Sequence, residues 1–150
     1  MTKGCSRGSI AVLGLLLCAP LAAQSELEDA RALWRQAGSA SYEYGFHRFC
    51  DCYGDMPPET LITVSDGKIT NVRHKRAEST DEVPAAERNF QYYWTIEDLF
   101  ALIESARASE ATVRARFDPM LGFPTSVYID YVENIIGDEV DVRITRLTVL

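Results

Sequence analysis

Apolar residues in the first part of the chain recur at steps of three and four, the spacing of one helix face. Ser25 and Glu28 fit a capping box, in which each side chain accepts from the other residue's backbone N–H. Gly38 is placed to end the helix. We therefore predict a first helix from Ser25 to Gly38. Its apolar stripe is Leu27, Ala30, Leu33, Trp34 and Ala37.

A second helical stripe follows in the second half of the chain. Thr95 and Asp98 repeat the capping pattern, and the helix is predicted to end near Ser109. An amphipathic stripe needs an apolar surface to pack against, so this helix is also expected to dock on the rest of the domain. The stripe is Ile96, Leu99, Phe100, Ile103 and Ala106.

Six other segments alternate apolar and polar residues, which is typical of strands with one buried face. Asp66-Gly67 tolerates the positive φ angles of a tight turn and predicts a hairpin. The charged stretch from Lys75 to Arg88, which contains Pro84, is predicted to be a solvated connection with at most a short turn. The predicted strands cover Tyr42–Phe46, Leu61–Ser65, Lys68–Val72, Val113–Phe117, Val127–Ile129 and Val140–Ile144.

The order of these elements is αβββαβββ. Two amphipathic helices cannot bury their stripes on each other and also cover six half-apolar strands. We therefore predict an α+β fold, with a curved antiparallel sheet of about six strands and both helices on one face. The aromatic residues expected in its core are Trp34, Tyr42, Tyr44, Phe46, Trp94 and Phe100.

Residues 1–23 have the pattern of a cleaved export signal. Lys3 and Arg7 give a positive start, Ile10–Leu17 is apolar, and Ala19–Ala23 supplies small residues for a cut after Ala23. The apolar run is far shorter than the roughly twenty residues that span a bilayer. We expect one domain over residues 24–150, without an integral membrane segment, in the periplasm or outside the cell.

The charge of the chain disfavours nucleic acid as a partner. Its 15 basic and 22 acidic residues give a formal charge of −7, and loss of Lys3 and Arg7 with the leader would make the mature chain still more acidic. Such a surface repels phosphate backbones on average. The longest basic cluster, Arg73, Lys75 and Arg76, is short.

Cys50 and Cys52 are the two cysteines that would remain after cleavage. In an oxidising compartment they are expected to form a disulfide bond with each other. Residues i and i+2 of an extended strand have α-carbons about 6.6 Å apart, near the limit of disulfide geometry, so the chain would bend at Asp51. Because a strained disulfide is more easily reduced, a redox-active pair is the alternative to a structural clip.

Two groups of residues are candidate metal ligands. His47 and His74 could join the two thiols around zinc or copper, but on a continued strand His47 points away from the cysteines. We predict no metal and no other cofactor. Four acidic residues could bind calcium or could belong to an ordinary polar loop, and both interpretations stay open. These residues lack the spacing of the twelve-residue calcium loop. These are Asp130, Glu133, Asp138 and Glu139.

An ordered series of short motifs resembles an uncharacterised family of exported bacterial proteins, the domain of unknown function 6174. The resemblance covers most of the chain after the leader. It implies export and a shared fold, and it assigns no catalytic residue. The motifs are Trp34 with Gly38, Tyr42-x-Tyr44, Cys50-x-Cys52, Val64-x-Asp66-Gly67, Thr95-Ile96 with Leu99-Phe100, Gly122-x-Pro124, Ile129-Asp130 and Asp138-Glu139.

The sequence contains no phosphate-binding glycine loop, hydrolase elbow serine or paired-histidine zinc motif. We therefore expect an exported, non-catalytic domain that binds an unknown protein or small molecule or associates with the cell envelope. Two alternatives stay open. One is a thiol redox or metal-handling protein using Cys50 and Cys52, and the other is an inhibitor of a secreted enzyme.

Overall fold

The structure is a computed structural model that describes residues 19–38, 40–49, 59–76, 81–133, 135 and 137–150. It contains one seven-stranded sheet and two α-helices, so the predicted α+β class is confirmed. The helices are α1 (Ala19–Ala37) and α2 (Ile96–Ala108), and the strands are β1 (Tyr42–Phe49), β2 (Thr60–Ser65), β3 (Lys68–Lys75), β4 (Glu82–Pro84), β5 (Thr112–Phe117), β6 (Pro124–Asp130) and β7 (Val140–Val149).

Every neighbouring pair in the sheet is antiparallel, and the strand order is β4-β3-β2-β1-β7-β6-β5. The first and last strands therefore pair in the middle of the sheet. Their register changes between Gly45 and Phe46, where Thr145 of β7 is the extra residue of a bulge. The β1–β7 pair joins two antiparallel meanders, β4-β3-β2-β1 and β7-β6-β5.

Both helices pack on the same sheet face, as predicted. Trp34 of α1 lies edge-on to Tyr42 of β1, with ring centroids 5.1 Å apart. Arg31 of α1 donates to Glu104 of α2 over 3.0 Å, which places the helices side by side. The buried aliphatic residues of both helices and the inward residues of the strands form one core.

Helix α2 has the N-terminus that the sequence predicts. Thr95 accepts from the backbone N–H of Asp98, and Asp98 accepts from the backbone N–H of Thr95. The N–H of Ile96 donates to the Tyr42 hydroxyl over 2.9 Å. Burial raises the pKa of Tyr42 to about 12, so this hydroxyl stays neutral and ties α2 to β1.

Helix α1 begins at Ala19, so the prediction that Ser25 caps it is wrong. The preceding sequence is rich in alanine and leucine, and Pro20 is tolerated in a first turn because the N–H it lacks has no partner there. Most of the predicted export signal lies outside the described residues. In the described part of the chain, neither helix carries an apolar stretch long enough to cross a bilayer.

The connection predicted between β3 and α2 is more ordered than expected. It contains β4, which pairs with β3, and a 3₁₀ helix over Glu87–Tyr92. Pro84 is compatible with β4 because this is an edge strand, where a missing N–H breaks no inner ladder. Sequence alternation cannot reveal a three-residue strand of this kind.

Candidate functional site

The sheet face opposite the helices, called the open face below, is where the polar residues of the strands gather. Along β5, Val113, Ala115 and Phe117 pack towards the core, while Arg114 and Arg116 are exposed on the other side. Strands β6 and β7 alternate in the same way, with Val127, Ile129, Val142 and Ile144 buried in the core. The open face has two halves with different electrostatics, which we describe in turn.

In the first half, formed by β4, β3, β2 and β1, two cations, Arg73 and Lys75, are paired with carboxylates. Arg73 bridges two of them, with Nη2 2.5 Å from Glu43 Oε2 and Nη1 2.8 Å from Glu82 Oε2. Thr63 also donates to Glu43 over 3.2 Å. Each of the three charged side chains is about one-third exposed or less, so the pairs are partly shielded from water.

Glu59 is the centre of a second cluster in this half. Its side chain is 12% exposed, forms an ion pair with Lys75, lies 3.7 Å from Arg146, and accepts from the Thr145 hydroxyl over 2.5 Å. Burial alone would raise the pKa of Glu59, but the hydrogen bonds and the nearby cations outweigh it and hold the pKa below its usual value. The Glu59 carboxylate is therefore charged, and groups of the same protein already bind it.

Gly45 makes room for this cluster. A Cβ at Gly45 would overlap with the Thr145 hydroxyl and with the carboxylate of Glu59. The φ angle of Gly45 is not positive, so glycine is needed here for space and not for conformation. The bulge beside Gly45 brings Thr145 to the same point.

In the second half, formed by β7, β6 and β5, three arginines border an open cavity of about 620 Å³, called the arginine cavity below. Arg114 and Arg116 come from β5, and Arg143 comes from β7. Within the described residues, no carboxylate lies within 4.0 Å of these three guanidinium groups. The remaining lining residues are Ala115, Thr125, Ser126, Val127, Tyr128 and Asp141.

The strand register sets these residues in two rows across the sheet. In the first row Arg116 is opposite Ser126, and Ser126 is opposite Arg143. In the second row Arg114 is opposite Tyr128, which is opposite Asp141. The single carboxylate among the lining residues is thus in the second row, and the first row is purely cationic and hydroxylic.

Aromatic rings support two of the arginines. The Cζ atom of Arg143 lies 4.6 Å from the ring centroid of Phe49, and that of Arg114 lies 5.5 Å from the Tyr128 centroid. Stacking of this kind orients a guanidinium without using its N–H groups. A guanidinium has five donors in a fixed fork, the geometry that binds carboxylate or phosphate oxygens.

Cys50 and Cys52 lie outside the described residues, so their disulfide and any redox role stay predictions. The two histidines weighed with them are on opposite sheet faces. His47 is opposite Arg143 on the open face and stacks on Phe49, while His74 contacts Tyr93 and Thr60 on the helix side. The fold therefore does not bring His74 to His47.

The four acidic residues considered for calcium do not converge either. In the part of the chain that the structure describes, no three metal-ligating side chains form a cluster. Glu139 accepts from the N–H of Gly137 over 2.8 Å, and Glu133 is exposed. Buried oxygens of Asp130 and Asp138 lack a hydrogen-bond partner, but two carboxylates without further side-chain ligands do not make a calcium site.

A second cavity, of about 300 Å³, is bordered by Trp34, Tyr42 and Thr95 near the N-terminus of α2. Two of its polar side chains are already occupied, because the Tyr42 hydroxyl accepts from Ile96 and Thr95 is in the capping box. The prediction that Trp34 and Tyr42 are core residues is confirmed. We therefore take the arginine cavity as the candidate site.

Sequence reasoning missed the three arginines of this cavity. Arg114 and Arg116 were detectable as the polar positions of an alternating strand. Their proximity to Arg143 depends on the order of β5, β6 and β7, which alternation does not give. The basic cluster that the sequence does show contains Arg73 and Lys75, which the structure pairs with carboxylates.

Comparison with known proteins gives a family and no activity. No curated protein and no solved structure matches the chain. A family model described as a family of unknown function, DUF6174, matches residues 26–149, which include both helices and all seven strands apart from the start of α1. The chain therefore belongs to the DUF6174 family.

Proposed function

We propose that this protein is an exported, non-catalytic binding domain that takes its ligand on the open face, in the arginine cavity. The observation that carries the proposal is a group of guanidiniums without carboxylate partners in the described part of a chain with a net charge of −7. In the first half of the same face, Arg73 and Lys75 are paired with carboxylates. The contrast supports a surface kept available for an external anionic group.

The residues of the cavity support binding more than catalysis. Arginine stays protonated at all ordinary pH values and cannot act as a general base. Ser126 lies opposite Arg116 and Arg143, neither of which can take up its proton. The arrangement can hold and orient an anion, but it offers no activated nucleophile.

The binding proposal is tested by comparing columns of immobilised wild-type protein, the Arg116→Gln/Arg143→Gln variant and the Arg88→Gln control. Arg88 is an exposed arginine of the 3₁₀ helix, outside the cavity. Extract from the producing cells and their medium is applied, and retained proteins and small molecules are identified by mass spectrometry. We expect material retained by wild type and control but lost from the double variant. Equal retention on all three columns would contradict the proposal.

Export is tested on the full chain by fractionation and intact mass. We expect the protein outside the cytoplasm, with a mass that begins at residue 24. A full-length protein confined to the cytoplasm would overturn this part of the proposal. The same mass, measured with and without reductant and a thiol reagent, reports whether Cys50 and Cys52 are bonded.

A further inference from the structure

Building on the proposed function, we infer that the arginine cavity binds a small molecule through an oxyanion, either carboxylate or phosphate, held between Arg116 and Arg143 above Ser126. The inference assigns the ligand's charged group to the first row of the cavity. It rests on the register, the distribution of charge between the two rows, and the cavity volume.

The register places two cations around one hydroxyl. Arg116 and Arg143 are two strands apart, so their α-carbons are separated by about 10 Å, with Ser126 between them. Both side chains line the same cavity. Arginine side chains are long enough to converge on one group over this distance, and the serine hydroxyl can donate to the same group. The Arg143 guanidinium, which stacks on Phe49 of β1, turns from that ring towards Ser126 when it binds the group.

The second row gives the ligand an orientation. Asp141 lines the cavity beside Tyr128 and offsets the charge of Arg114, so this row attracts an anion less than the first row, which holds two cations. Its carboxylate and the Tyr128 hydroxyl favour a hydrogen-bond donor on the ligand, such as a hydroxyl or ammonium group. The ligand that fits both rows therefore has an oxyanion at one end and a donor at the other.

The volume favours a small molecule over a polymer. Pockets for small molecules span about 300 to 1,000 Å³, and the arginine cavity, at about 620 Å³, lies within that range. The cationic row covers two strand spacings, which matches one oxyanion and not a chain of them. This geometry differs from the long basic grooves that follow nucleic-acid backbones.

The experiment uses ¹⁵N-labelled protein and three probes: inorganic phosphate, acetate and neutral acetamide. Sodium chloride keeps the ionic strength constant. Backbone amide signals and the arginine Nε–H signals are followed by NMR during each titration. Comparison of phosphate with acetate shows which oxyanion the site prefers, and acetamide controls for contacts that need no charge.

We expect at least one anion to give saturable shifts at Ser126, Arg116 and Arg143, with none from acetamide. The Arg116→Gln/Arg143→Gln variant should bind at least tenfold more weakly, and Arg88→Gln should bind within twofold of wild type. The amide spectrum of each variant shows whether it is folded. The conservative Arg116→Lys, which keeps the charge but loses the fork, should give an intermediate affinity.

Shifts that grow linearly with anion concentration, or that are the same in the double variant, would overturn the inference. This failure is distinct from failure of the proposed function. If no anion binds but the double variant still loses its column-retained partner, the oxyanion inference is wrong and the binding role stands. If retention is also unaffected, both are wrong.

Discussion

Both halves of the open face contain arginines, but the surroundings of these arginines differ. Around Glu59 and Arg73, each cation has a carboxylate within ion-pairing distance, and Gly45 makes room for one cluster. Around Arg116 and Arg143, the guanidinium groups line a cavity, Arg143 stacks on Phe49, and no carboxylate of a described residue lies within 4.0 Å of either one. Charged side chains that form ion pairs stabilise a fold, whereas unpaired cations near one another destabilise it. We therefore relate the unpaired cations of the second half to ligand binding.

The comparison predicts that substitutions in the first half change stability and those in the second half change binding. Four changes test this difference between the halves, and the change with the largest expected loss of stability is Gly45→Ala.

Gly45→Ala should give the largest loss. Because the new Cβ takes the space of the Thr145 hydroxyl and the Glu59 carboxylate, both side chains must move and lose their hydrogen bond and the ion pairs of Glu59. We therefore expect the free energy of unfolding to fall by about 3 kcal/mol. Gly67→Ala is the matched control: its Cβ meets nothing, and its positive φ predicts a loss of about 1 kcal/mol. Urea unfolding measures both, and a smaller loss at Gly45 than at Gly67 would contradict the steric argument.

Glu59→Gln removes a charge but keeps the side-chain shape. Lys75 and Arg146 then lose their common carboxylate, and we expect a loss of about 2 kcal/mol, between the values for exposed and fully buried pairs. Glu133→Gln, at an exposed loop residue, is the control and should change stability little. Thermal and urea unfolding of the two variants provide the measurement. Equal stabilities would show that the Glu59 cluster contributes nothing.

The same substitution at Arg73 and Arg116 compares the halves directly. Arg73→Gln breaks pairs with Glu43 and Glu82 and should lower stability by about 1 kcal/mol. Arg116→Gln breaks no ion pair with a described residue and should leave stability within about 0.5 kcal/mol, or raise it slightly at low salt. Calorimetry at low and high salt measures the stability of both variants and of the wild type. A larger loss at Arg116 would mean that the cavity is structural.

Acid should weaken the Glu59 cluster, and this is the smallest effect. The pKa of Glu59 is lower in the folded protein than the ordinary value of 4.5, so the unfolded chain binds more protons in this window. Its contribution to stability is present above pH 4.5 and is lost as pH falls through the folded pKa. The difference between wild type and Glu59→Gln, measured by urea unfolding, should therefore shrink from pH 6 to pH 3. A constant difference would contradict this assignment.

The secondary structure was predictable where one periodicity dominates. The stripe of α2 and the alternation in β5 each specify an element and its buried face without help from the rest of the chain. The capping box at Thr95 was also correct, because Ile96 begins a new apolar stripe directly after it. At Ser25 the same motif failed because helix-forming residues continue upstream of it.

The candidate site was not predictable because it depends on strand order. Arg143 is 27 residues from Arg116, and only the arrangement β7-β6-β5 brings them to one cavity. Conversely, Arg73 and Lys75 are close in sequence and look like a binding patch. Their neutralisation by Glu43, Glu82 and Glu59 comes from strand pairing, which a local pattern does not report.

The central pairing of β1 with β7 has a consequence for the order of folding. During synthesis, Tyr42–Phe49 emerges from the ribosome long before Val140–Val149, so the edge of β1 that faces β7 stays without its native neighbour until Val140–Val149 has been made. Pairing across such a sequence separation is slow to nucleate. The proposed export would use this delay, because a chain that lacks its central strand pair can still be threaded through a narrow translocation channel.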